Sequence, residues 1–349
     1  MSTTVTNRIS PLDALGQRAE RNDDALQALR RARLDFDVDL VPVRNPATNE
    51  IIWGPEDEEG NPQPKFLATV RKDTKDVLGI VEGRYRIFQN SDVFSIADTM
   101  AQEDGAIITR ASAIDNGARC FMTLEWPRDK SVSVLGDIVS RRAILQNSHD
   151  GKFAAIARLM PMRLACMNGM VVPVPAFTFE FRIKHTESGD ERLNQARGIM
   201  AGASQYFETF GKIANRMAEL KVTETHAKKL LESLPAFKKD TTASGKKLDE
   251  IMDLFNGAQA GGNHEAVRNT AWGWFNAVAE FADHSGRIRK TRGNDELTQR
   301  FKNVIEGAGA RLKVDAYESL LKDDSLGLGD FYKSLTTEIK QRKRQPSLN

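Results

Sequence analysis

The sharpest two-residue period in the chain lies at Phe177, Phe179, Phe181 and Ile183, which alternate with Thr178, Glu180, Arg182 and Lys184. Such alternation puts one set on an apolar face and the other on a polar face, as in a half-buried strand. Shorter stretches of the same kind predict strands at Phe36–Val43, Ile51–Trp53, Phe66–Arg71, Val77–Val81 and Tyr85–Phe88. Further strands are expected at Ala106–Ala113, Ala118–Trp126, Val132–Leu135 and Ala143–Gln146. Pro42 lacks a backbone donor and argues for an edge position. Lys72–Asp76 reads as a turn between paired strands, and Asn116-Gly117 as a hairpin signal.

The period changes twice. Val93, Phe94, Ile96, Ala97 and Met100 predict a helix capped by Asn90 or Ser91. Phe153–Leu159 is expected to be helical up to a kink before Pro161. From Glu191 onward the spacing becomes that of helices: Ala203, Phe207, Phe210, Ala214 and Met217 share one face. Leu248, Ile251, Met252 and Phe255 predict a short helix, and Thr270–Asp283 a longer one with Trp272, Phe275, Val278, Ala279 and Ala282 on its apolar side. The fold class is therefore α+β, a mixed strand-rich core with a mainly helical C-terminal region. The expected divisions are an N-terminal arm over 1–34, a mixed α/β core over 35–190, a helical region over 191–335 and a basic tail over 336–349. The arm carries only a partial apolar face, so a loosely packed or exposed helix is expected there.

Composition narrows the function classes only slightly. The 349 residues include 50 basic and 48 acidic ones, for a formal charge of +2, so any nucleic-acid surface must be local. Cys120 and Cys166 have no metal-ligand or redox spacing and are expected to be buried thiols. The beginning lacks an apolar signal-peptide centre and no stretch is long enough to span a bilayer, so a bacterial cytoplasmic location without membrane partners is expected. Walker A, GxGxxG and HExxH patterns are absent, and neither cofactor nor metal is expected.

Candidate chemistry concentrates between Arg141 and Thr186. Asn147, His149 and Asp150 are expected to form a hydrogen-bonded cluster at a turn that Gly151 permits. VLGIVEGRYRIFQNSDVF at 77–94, LQNSHDGKFAAIARLMPMRLACMNGM at 145–170 and NTAWGWFNAVAEFADH at 269–284 resemble the phage- and plasmid-associated DUF932 family, over roughly residues 35–310. The family's Arg-Val-x-Cys-x-Asn pattern is similar to Arg163, Cys166 and Asn168, with Ala165 where a branched aliphatic is usual. The resemblance implies no particular reaction.

The leading functional expectation is single-stranded DNA binding, with strand annealing in phage or plasmid recombination or replication, by a homo-oligomer. Arg158, Arg163, Arg182 and Lys184 are the first phosphate-contact candidates, and Arg287, Arg289 and Lys290 a second patch. Lys340, Arg342, Lys343 and Arg344 add a basic tail. The alternatives are a module that captures a host protein to modify defence, and a metal-dependent nuclease using Asp92, His149 and Asp150.

Overall fold

The computed structural model describes residues 9–175, 177, 179–185, 189–200, 202–238, 242–258, 262–286, 288 and 295–344. Its centre is a six-stranded antiparallel sheet in the order Gln17–Arg18, Ile107–Ile114, Arg119–Glu125, Arg142–Ser148, Ala155–Leu159 and Glu180–Ile183. The last five strands follow one another along the chain, so most neighbours in sequence are neighbours in space. A four-stranded sheet (Val132–Val134, Asp137–Ser140, Met162–Arg163, Asn168–Gly169) and a three-stranded one (Val38–Pro42, Phe66–Arg71, Val77–Glu82) flank it. Pro42 does sit on an edge strand.

Strand alternation makes the central sheet two-sided. Cys120, Met122, Leu124, Ala143, Leu145, Ala157 and Leu159 join the main core, which continues into the helices Ala203–Glu219, Ala271–Glu280 and Ala308–Lys322. The opposite face offers Phe121 and Ile144 to a smaller cluster with Phe301, Val304 and Ile305 of the helix Glu296–Ile305. Cross-strand arginine–carboxylate pairs flank that cluster: Arg142 with Glu125, 3.0 Å apart, and Arg158 with Glu180. Edge-on aromatic contacts tie sheet to helices, from Trp126–Phe207 at 5.2 Å through Phe210–Trp272 at 6.2 Å to Phe275–Tyr317 at 6.1 Å. The main core runs unbroken across residue 190, although strands give way to helices there.

The expected helix at Phe153–Leu159 is instead the strand Ala155–Leu159, buried on both faces. Burial of both faces removes the alternation that distinguishes a strand from a helix in an apolar run. Tyr85–Phe88 forms no ladder; it is a connection whose backbone bonds to His185. Gln89, rather than Asn90 or Ser91, precedes the helix Asn90–Phe94, and Asn90 is buried. The arm is packed: Ala25, Ala28 and Leu29 of the helix Ala25–Arg31 belong to the main core, and Gln17–Arg18 pair with the central sheet. Every residue of Ala271–Glu280 is buried, so this helix lies inside the helical layer. Among the described residues no helix is long and apolar enough to cross a membrane.

The three-stranded sheet presses on the Asn147–Gly151 turn through Gly79, where a β-carbon would stand 2.6 Å from Asp150 Cα. Backbone cannot retreat as a flexible side chain does, so Gly79→Ala is expected to destabilise the protein by about 1–3 kcal/mol, read by urea denaturation.

Candidate functional site

The Asn147–Asp150 turn is a buried junction. Asn147, near the end of the strand Arg142–Ser148, and His149, just beyond it, both reach Asn90: Asn147 Nδ2 donates to Asn90 Oδ1 at 3.0 Å and to the Phe88 carbonyl at 2.9 Å, while His149 Nε2 lies 3.1 Å from Asn90 Oδ1. With that oxygen as acceptor, Nε2 carries the imidazole proton. Thr69 Oγ1 donates to the His149 carbonyl at 2.6 Å, and Tyr85 to the Ser148 carbonyl at 3.0 Å. Asp150 accepts from Ser148 Oγ at 2.7 Å and from the Lys152 amide at 2.9 Å. Gly151 has φ +72°, a left-handed conformation, and a side chain there would meet Val81. Asn147 and His149 thus meet through Asn90, whereas Asp150 bonds Ser148 and Lys152 rather than either of them, and the bonds of the turn join the central sheet, the three-stranded sheet and the helix Asn90–Phe94. Asp92 is exposed on the first turn of that helix and accepts from the Gln89 amide, apart from buried His149.

A second buried network contains the Arg163, Cys166 and Asn168 pattern. Arg163 Nε and Trp272 Nε1 donate to the same oxygen of Asp137, at 2.6 and 2.9 Å. Arg163 also reaches Cys166 Sγ, which bonds Asn168, and Asn168 bonds Asn276. On the same strand as Asn168, the Gly169 amide donates to Asp283 at 2.8 Å, and Lys313 Nζ bonds both the Gly169 carbonyl at 2.8 Å and Asp283 at 2.7 Å. Burial pushes the Cys166 thiol up to about 12, against the pull of Arg163, so the sulfur stays protonated and closed to solvent. Burial draws Lys313 below its ordinary value and Asp283 opposes it. The signal for these partners was present in NTAWGWFNAVAEFADH, where Glu280 and Asp283 interrupt an otherwise apolar helix.

The arginines divide sharply. Arg158 is buried between Glu180 and the Ile305 carbonyl, and Arg163 is enclosed as described. Their assignment as phosphate contacts is corrected: a phosphate would have to displace an internal carboxylate to reach either one. The helical reading of 153–159 had given Arg158 a solvent face that the strand does not have. Arg182 and Lys184 are exposed, on and just beyond the last strand of the central sheet, with Arg182 paired to Glu180. Arg287, Arg289 and Lys290 lie outside the described residues. Arg342–Arg344 end the helix Leu328–Arg344.

Two cations that sequence reasoning missed stand beside Lys184. Arg84 and Arg86 are exposed and flank Tyr85, and the Arg86 amide donates to the His185 carbonyl at 3.2 Å. Tyr85 stacks on His185 at 4.8 Å with ring planes 11° apart. Among the described residues, Arg84, Arg86 and Lys184 have no ion-pair partner. The Arg-Tyr-Arg alternation in an extended segment was the signal available.

Two stability effects follow from the buried groups. Lys313→Met strands the Asp283 carboxylate and is expected to cost about 3–5 kcal/mol in urea denaturation, with part recovered in the Lys313→Met/Asp283→Asn double variant. Burial, with His185 and Arg71 adding to it, lowers His149 to about 3. Burial lowers His185 to about 4, opposed by the Arg86 carbonyl and Asp150. The unfolded chain takes up these protons near pH 6.5 and the folded chain does not, so stability is full above that pH and declines toward pH 4, by up to about 1.4 kcal/mol per unit per histidine. His185→Gln is expected to flatten the decline in a pH series of denaturation curves.

Searches among curated proteins and solved structures return no match. A family model described as "Domain of unknown function (DUF932)" matches residues 77–305. That span holds the Asn147–Asp150 junction, the Arg163–Cys166–Asn168 network and the helix Ala271–Glu280 that closes it, and the chain belongs to this phage- and plasmid-associated family.

Proposed function

We infer that the chain binds single-stranded DNA, without hydrolysing it, and serves strand annealing in phage or plasmid recombination or replication. The observation that carries this reading is the exposed row formed by Arg84, Arg86 and Lys184 around the stacked Tyr85–His185 pair, at the open edge of the central sheet. Cations without carboxylate partners release counterions when they meet phosphates, which gives affinity independent of base sequence. A flexible single strand adapts to such an edge at less expense than a stiff duplex. Arg182 takes part when phosphate competes for it with Glu180.

Fluorescence anisotropy of a labelled oligonucleotide across a salt titration tests this directly, with annealing of complementary strands followed in parallel. Each phosphate contact removed from a single strand lowers the slope of log affinity against log salt by about 0.7. Arg84→Gln, Arg86→Gln and Lys184→Gln are expected to lower the slope stepwise and to weaken binding to all sequences alike. Unchanged slopes in the triple variant would remove this edge as the contact surface.

A further inference from the structure

Among the described residues, half of the eight most exposed large apolar side chains sit on the three-stranded sheet and the hairpin beside it. Val41 at 46%, Val77 at 62% and Ile80 at 55% belong to the three-stranded sheet, and Trp53 at 52% to the hairpin that continues from it. Register explains why the first three share a face. Val41, Ala68 and Ile80 are cross-strand neighbours in one row, and Val70 and Val77 pair in the next. Alternate positions Leu67, Thr69 and Val81 turn inward, and the outer face carries Val41, Ala68, Val70, Val77 and Ile80, with Asp39 and Glu82 on its two edge strands. The hairpin joins that sheet through the Lys65 amide, which donates to the Ile52 carbonyl at 2.8 Å, and Trp53 pairs with Pro64 at the hairpin's base. Its acidic residues, Glu56 to Glu59, are at the other end.

The apolar face runs into the cationic row. Lys65 Nζ stands 5.3 Å over the Phe66 ring, and the Lys65 carbonyl accepts from the Gly83 amide at 3.2 Å, immediately before Arg84. Two steps on, Arg86 meets the His185 backbone next to Lys184. Exposed apolar and aromatic groups thus lie directly beside cations free of partners among the described residues. Protein-binding faces of this size do not require such a row, whereas a single strand presents both bases and phosphates and fits both parts.

We propose that the outer face of the three-stranded sheet, with Trp53, is the platform on which the bases of the single strand rest, while Lys65, Arg84, Arg86 and Lys184 hold its phosphates. This rests on the single-strand-binding reading above and adds the base contacts to it. Trp53 stacks on a base, and Ile80 and Val41 pack against the next ones, without selecting sequence because every base offers an apolar face.

The molecule supplies its own reporter. Of the four tryptophans, Trp126, Trp272 and Trp274 are buried and Trp53 is exposed. Oligo(dT) is expected to quench the emission of the full-length protein, and Trp53→Phe to abolish the quench while binding persists by anisotropy. Trp53→Ala and Ile80→Ser are each expected to weaken binding about tenfold, with folding checked by circular dichroism. Leu135→Ser, which removes an equally exposed apolar group elsewhere, is expected to leave affinity unchanged. If wild-type protein binds oligo(dT) with emission unaltered, and Trp53→Ala and Ile80→Ser bind as tightly, the platform is wrong and the phosphate edge stands alone. If Ile80→Ser dissociates a dimer in sedimentation without altering oligonucleotide affinity, the face joins two copies and the proposal is overturned. Absence of any binding by the wild type would overturn this proposal together with the reading it rests on.

Discussion

One carboxylate oxygen of Asp137 receives both the Arg163 guanidinium and the Trp272 indole, and through that atom the four-stranded sheet is fastened to the helical layer. Asp137 and Arg163 are both enclosed, so neither charge has water to fall back on. Removing either one would leave its partner unsolvated, an imbalance of several kcal/mol that the fold avoids only by holding these groups in register. Register then dictates much else. Arg163 is paired across the ladder with Val139 and Asn168, which sets the Cys166 turn. Gly169 in turn receives Lys313 and Asp283, which seats the helix Ala308–Lys322 against the end of Ala271–Glu280.

This constraint decides where function can reside. The residues that mark the family in sequence are committed to each other: the thiol is protonated, the guanidinium is bound, and the histidine of the polar turn is neutral and shared with Asn90. Groups held this way give rigidity and a single geometry. A rigid interior leaves chemistry with large ligands to the periphery, where the chain has kept cations unneutralised and apolar groups uncovered. The overall balance of 50 basic against 48 acidic residues conceals this, because it sums local cations with acids that stand elsewhere, such as Asp137 and Asp283 paired to interior bases.

Much of the architecture was legible in the chain. Phe66–Arg71, Val77–Glu82, Ile107–Ile114 and Arg119–Glu125 carry alternation or turn chemistry that survives folding, and the face from Ala203 to Met217 is buried as its spacing requires. Ala155–Leu159 was not legible, since a strand covered on both sides has no polar phase to read. The polar turn was visible as a cluster, but its partners Asn90 and Thr69 are 57 or more residues away in sequence and no local rule reaches them. Arg158 and Arg163 were misread for a related reason: a charge within an apolar run signals either a ligand site or an internal carboxylate, and the carboxylate, Asp137 for Arg163, lies on another strand. Arg84 and Arg86 were passed over because Tyr85–Phe88 was taken as a strand rather than a connection.

The central claim is that this surface receives a single strand of DNA. Its most direct test is equilibrium binding of the full-length protein to matched single-stranded and double-stranded oligonucleotides, measured by anisotropy from low to physiological salt. The account predicts tighter binding to the single strand at every salt concentration, with log affinity falling linearly as log salt rises. Equal affinity for the duplex, or no binding of the single strand even at low salt, would contradict it.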